Sequence, residues 1–176
     1  MLIPGIAVSI ATFPGVIVHE LAHQLFCRWF KVPVFQVVYF QVGNPSGFVL
    51  HETPPRKWQS IIISAGPFLI NTILGALIAL PAALPVFTLD NANWVHYLLM
   101  YLGVSIAMHA FPSTGDAKNI LKSLREKETS PLTKLIGFPV VGLIWLGAIG
   151  SMFWLDLLYG VAIAVGIPQL IIYWMA

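Results

Sequence analysis

The chain has 176 residues, of which 58% are hydrophobic and only 9% charged. A soluble domain carries about 25% charged residues, so a globule of this composition has too little polar surface to stay dissolved, and a membrane protein is expected. Nine Lys and Arg against seven Asp and Glu give a net charge of +2 without a basic cluster, which excludes nucleic acid as a partner, and the single cysteine, Cys27, excludes an internal disulfide.

A helical crossing of the hydrocarbon core takes about 20 apolar residues. The long apolar runs predict an all-α polytopic membrane protein, one domain over residues 1–176, with five spans at about 2–27, 60–87, 94–111, 135–154 and 157–175. The opening segment, Met1 to Gly15, lacks the basic region and small-residue cleavage site of a secretory signal and is expected to belong to the mature fold. Between the first two spans, Val34–Val42 is rich in Val, Phe and Tyr, the turn residues Gly43-Asn44-Pro45-Ser46-Gly47 follow, and Phe48-Val49-Leu50 resumes the apolar run. This predicts a small β-hairpin over about 34–51, packed on the helices or the interface near the cytoplasmic face. After the third span, Ala117–Glu128 mixes Leu and Ile with Lys, Arg and Glu and predicts a short amphipathic helix at that same face. The last apolar block, Leu135–Met175, is twice the length of one crossing and is divided at Asp156.

Arg28, Lys31, Arg56 and Lys57 follow the first span, and Lys118, Lys122, Arg125, Lys127 and Lys134 follow the third. All nine cations then lie on one side. The positive-inside rule makes that side cytoplasmic, with the N-terminus outside and the C-terminus in the cytoplasm. Asp90 and Asp156 are assigned to the opposite face.

The first span contains His19-Glu20-Leu21-Ala22-His23. Residues i and i+4 share one face of a helix, so the two imidazoles have the spacing of a zinc pair, with a Glu between them as a candidate general base. Ionisable groups inside a span cost a few kcal/mol each on insertion scales, and a divalent ion with Glu20 and one further carboxylate sums to zero charge. The plainer alternative is a pair of neutral core histidines bonded to backbone beside a protonated Glu20. A catalytic zinc has three protein ligands and one open position. Asp116 follows the chain-breaking Pro112 and Gly115 and is one candidate for the third; Glu52, at the end of the hairpin, is another. Asp116 is equally placed to cap a helix starting at Ala117.

With these residues in view, most of 6–124 resembles the site-2 protease family of intramembrane zinc metalloproteases. The HExxH matches that family's metal-binding helix; Ser64-Ala65-Gly66-Pro67 followed by Asn71 is similar to its Gly-Pro element; Pro112 to Asp116 is similar to its proline-then-Asp segment. The resemblance implies zinc held by His19, His23 and Asp116, with Glu20 catalytic. It further implies hydrolysis of peptide bonds in or near a transmembrane segment of a membrane-protein substrate, with the hairpin beside the active site, where it can pair with an unwound substrate. The sequence departs from the family in the spacing of Asn71, in Ala117 after Asp116, and in His109, which stands where an Asn is usual and is open to reading as an outer donor, a competing ligand or a helix histidine. The rival readings are a membrane transporter or sensor that binds metal without hydrolysis, and an inactive protease-like scaffold.

Overall fold

The computed structural model describes residues 5–175. Its spine is α3, Lys57–Phe87, of 31 residues, about 46 Å long at 1.5 Å per residue. Against its Lys57 half lie α2 (Phe13–Trp29), α5 (Thr114–Arg125) and α6 (Pro131–Gly150); against its Phe87 half lie α4 (Trp94–Met108) and α8 (Ile167–Met175), while α7 (Leu155–Val161) packs on α4 and reaches α3 through Tyr159 at Phe68 and Thr72. Two apolar clusters hold the Lys57 half. One joins Ile61 to Ala117, Ile120, Leu124, Val141 and Ile144, and the other joins Phe26, Cys27, Val32 and Ile63.

Without a hydrophobic drive between helices in lipid, close backbone approach through small residues holds them together. At the α3–α4 crossing a Cβ on Gly75 would sit 2.8 Å from the Gly103 carbonyl oxygen, and one on Gly103 would sit 2.7 Å from that of Gly75. At the α2–α4 crossing a Cβ on Gly15 would sit 2.0 Å from the Ser105 carbonyl oxygen, while Gly15 N–H donates to Ser105 Oγ at 3.0 Å. Leu69, Leu77, Leu135, Leu143, Leu146 and Leu158 point outwards and are exposed. That much uncovered leucine suits lipid. Three helical stretches are long and apolar enough to cross a membrane: α3, α6 with the 3-10 turn that follows it, and the continuous run of α7 and α8. The chain is a membrane protein.

The five-span expectation is corrected in two places. Residues 2–4 lie outside the described residues; from residue 5 the first apolar run is two helices, α1 (Gly5–Ala11) and α2, meeting at 87°. Pro14 has no N–H for the Ile10 carbonyl, and its ring clashes with that carbonyl, so the helix restarts after Thr12 with proline in its first turn. Counting this bent pair as one span brings the total to four. The fifth, α4, has 15 residues and falls short because the chain turns at His109 to Pro112.

The C-terminal block divides where expected, into two stretches, Pro131–Phe153 and Leu155–Trp174, each long and apolar enough to cross a membrane. It breaks at Trp154, whose φ of 63° ends the preceding turn, with Asp156 in the first turn of α7. Gly137 of α6 packs on Leu124 and Ile61, and Gly147 on Phe111. Tyr159 of α7 then meets Thr72 of α3 with 2.8 Å between their hydroxyls, and Pro168 and Ile171 of α8 lie beside Leu77 and Leu80. The contacts of the block thus move along α3 from Ile61 to Leu80. Asp156 shares a cavity with His109, Pro112 and Ser113, which sets it beside the turn that carries Asp116.

The hairpin forms as expected. Strand β1 (Val34–Val38) pairs antiparallel with β2 (Phe48–His51), Val37 opposite Val49 and Val38 opposite Phe48, with a bulge between Val34 and Gln36. It lies lengthwise along α2: Tyr39 donates to Gln24 Oε1 at 2.7 Å, and the Phe40 ring reaches Phe13, 5.9 Å between centroids.

Candidate metal centre

α2 passes the Lys57 half of α3 with one face turned inwards, so that His19, Glu20 and His23 are all buried. α5 opens at the same level. Ser113 caps it, and Asp116 is the third helical residue of a capping box: Asp116 Oδ2 accepts from Ser113 N at 2.8 Å and from Ser113 Oγ at 2.7 Å. The helix starts at Thr114, earlier than Ala117, so Asp116 is the cap's partner and not the cap. Its second oxygen, Oδ1, is left to face His23 Nε2 at 3.4 Å.

The two imidazoles are aimed by backbone. His19 Nδ1 lies 2.7 Å from the His109 carbonyl oxygen, and His23 Nδ1 lies 2.8 Å from that of Ile63. A carbonyl only accepts, so each ring donates from Nδ1–H and, when neutral, presents a bare lone pair at Nε2. Those two Nε2 atoms are 3.1 Å apart. With Asp116 Oδ1 they make three acceptors, all within 4.8 Å of one another. Such a group repels itself unless a cation or a proton lies between its members.

The spacing suits zinc. Bonds of about 2.0–2.2 Å in tetrahedral geometry put ligand atoms about 3.3 Å apart, against the 3.1 and 3.4 Å found. Burial alone would push the Asp116 carboxyl up, but the His23 imidazole, with His19 and the Ser113 hydroxyl, holds it down at about 2. It is a carboxylate at neutral pH.

His109 is not among the gathered ligand atoms. Its ring turns away, with Nε2 2.7 Å from Thr12 Oγ1, and the Thr12 hydroxyl gives its proton to the Val8 carbonyl. Its contribution to the site is the backbone oxygen at the end of α4, where helical carbonyls lack donors. Asn71 shares that oxygen: its Nδ2 donates to the carbonyls of His109 at 3.1 Å, Ile106 at 3.1 Å and Gly15 at 3.3 Å, tying α3 to α4 and α2. Glu52 stands just beyond β2, exposed, with its N–H on the Pro33 carbonyl, and does not join the cluster.

Glu20 lies against the hairpin turn. A Cβ on the buried Gly47 would come 2.7 Å from Glu20 Cγ and 3.0 Å from both Glu20 Oε1 and the Tyr39 carbonyl oxygen. Nothing in the sequence pairs Gly47 with Glu20. Gly47→Ala is expected to displace the carboxylate while leaving His19, His23 and Asp116 alone. Peptidase activity should fall about 10–100-fold at unchanged zinc content, since an ångström of misplacement near a reacting group costs about that much; equal activity in the two proteins would show that the turn yields freely.

Residues 12–130 match the model of the DUF3267 family, described as "Putative zincin peptidase". The chain belongs to that family. It is therefore a zinc metallopeptidase, and zinc is its cofactor. No curated protein and no solved structure matches the chain. The HExxH helix and the Pro112–Asp116 turn both fall inside the matched residues.

Proposed function

We propose that this peptidase is an intramembrane zinc protease of the site-2 type, cutting membrane proteins within or near a transmembrane segment, with His19, His23 and Asp116 as zinc ligands and Glu20 as general base. One observation carries the reading: two imidazole nitrogens and a carboxylate oxygen converge at zinc spacing, beside the Lys57 half of α3, in a bundle whose outer faces are lined with exposed leucine.

When bound, zinc lowers the pKa of water towards 7 and polarises the scissile carbonyl. Glu20 takes a proton from the water as its oxygen adds to the carbonyl carbon, and returns that proton to the amide nitrogen as the C–N bond breaks. The products are a carboxylate and an amine. His109 and Ile63 hold the imidazoles still through their carbonyls, and Ser113 holds Asp116.

A cavity of 310 Å³ lined by Ser113, Thr114, Ser151 and Asp156 borders the turn that carries Asp116. A helical substrate hides its carbonyls and must unwind first. The crevice between β1 and α2, lined by Gln24, Arg28 and Val34 to Val37, suits a chain held extended beside the hairpin. The Lys57 end of the bundle carries the basic connections and faces the cytoplasm in this reading.

Detergent-purified protein should hold one zinc per chain and cleave a single-pass membrane reporter. A chelator should stop cleavage and added zinc restore it. Zinc binding without cleavage, accompanied by zinc passage across vesicles, would replace the protease with a transporter.

A further inference from the structure

An α-helix closes each carbonyl onto the N–H four residues later, and proline has no N–H to give. Within α3, Pro67 thus leaves the Ile63 carbonyl without its helical donor. That oxygen is the one facing His23 Nδ1 at 2.8 Å. The neighbouring residue brings the two helices within reach of each other: a Cβ on Gly66 would fall 2.2 Å from the Phe26 ring of α2, so only glycine admits α2 so closely here. Pro67 itself is fully buried.

We infer that Pro67 is a positioning residue for His23: by withholding one N–H it reserves the Ile63 carbonyl as the acceptor that fixes the ring's tautomer and tilt. The Gly66-Pro67 pair then has two tasks, Gly66 admitting α2 and Pro67 freeing the oxygen that α2 needs. The symmetry with the other ligand is chemical. His19 uses the His109 carbonyl, left free because α4 ends there, whereas His23 lies beside the interior of a 31-residue helix, at its seventh residue, where a free carbonyl has to be created. The inference rests on the zinc reading of His23.

The test is zinc affinity, by competition with a chelating dye, and the visible absorption of the cobalt-substituted protein, which reports ligand geometry. Pro67→Ala and Pro67→Val both restore the N–H and differ in volume. Both should weaken zinc binding about tenfold or more, the usual cost of losing an outer hydrogen-bond partner, and shift the cobalt bands. The metal-free variants should unfold at the same temperature or higher, because both residues are better helix formers than proline. Pro81→Ala, in the same helix about 21 Å away, should leave affinity and spectrum as in the wild type.

Wild-type affinity and spectrum in the Pro67 variants would overturn the inference, as would an equal loss in Pro81→Ala. Failure of both Pro67 variants to fold would also overturn it, since it requires them to fold at least as well. Wild-type protein that binds no zinc would instead remove the zinc reading itself.

Discussion

Glu20→Gln is expected to retain full zinc and to cleave a single-pass membrane reporter about 10²–10⁴-fold more slowly, the range that general acid–base catalysis contributes. That corresponds to about 3–5.5 kcal/mol of transition-state stabilisation. Glutamine matches glutamate in size, so it preserves the contact with Gly47 and leaves His19 and His23 on the same helical face. What it lacks is a basic oxygen to accept the proton of water. Single-turnover cleavage followed by mass spectrometry, with zinc measured by atomic absorption on the same sample, separates chemistry from metal loss. Cleavage within tenfold of the wild type would mean that another group takes the proton. The transporter reading expects the opposite pattern, with zinc handling unaffected by the amide.

Asp116→Ala is expected to lose zinc to a degree exceeding the roughly 10–100-fold that removal of an outer hydrogen-bond partner costs, and all cleavage with it. The substitution removes two things at once, Oδ1 from the ligand cluster and Oδ2 from the capping box of α5. Ser113→Ala separates them. It deletes the cap, at about 0.5–2 kcal/mol of stability, and keeps Oδ1, so its zinc affinity should stay far above that of Asp116→Ala. Equilibrium dialysis against zinc buffers measures both. Full occupancy in folded Asp116→Ala would take this residue out of the coordination sphere, leaving two imidazoles and a ligand from elsewhere.

Much of the candidate site was legible because it is local. His19, Glu20 and His23 share a face by helical periodicity alone, and Pro112 announced the break that turns Asp116 towards the bundle, whereas Gly115 lies inside α5 and breaks nothing. The competing reading of Asp116 as the N-cap fails because Ser113 holds that place; one carboxylate has two oxygens, and this one divides them between Ser113 and the cluster. The outer shell was illegible for the opposite reason. The carbonyls of Ile63 and His109 are backbone atoms 40 and 90 residues from the imidazoles they orient, and a backbone oxygen has no sequence signature. Pro67 did signal a free carbonyl in α3, but not which donor would reach it.

Composition and hydrophobic run length determined by themselves that this chain lives in a membrane, is mostly helical and carries one hairpin, because the cost of exposing apolar or charged groups in the wrong solvent is additive along the sequence. They did not determine packing. A run of forty apolar residues has the same hydropathy whichever helix it lies against, and only the contact of Tyr159 with Thr72 and the place of Pro168 beside Leu77 set its second half on α3. The 87° bend before α2, the place of Asp156 beside the turn that carries Asp116 and the contact of Gly47 with Glu20 were decided in the same way. Each depends on which surfaces interlock, a property of pairs of segments far apart in the chain.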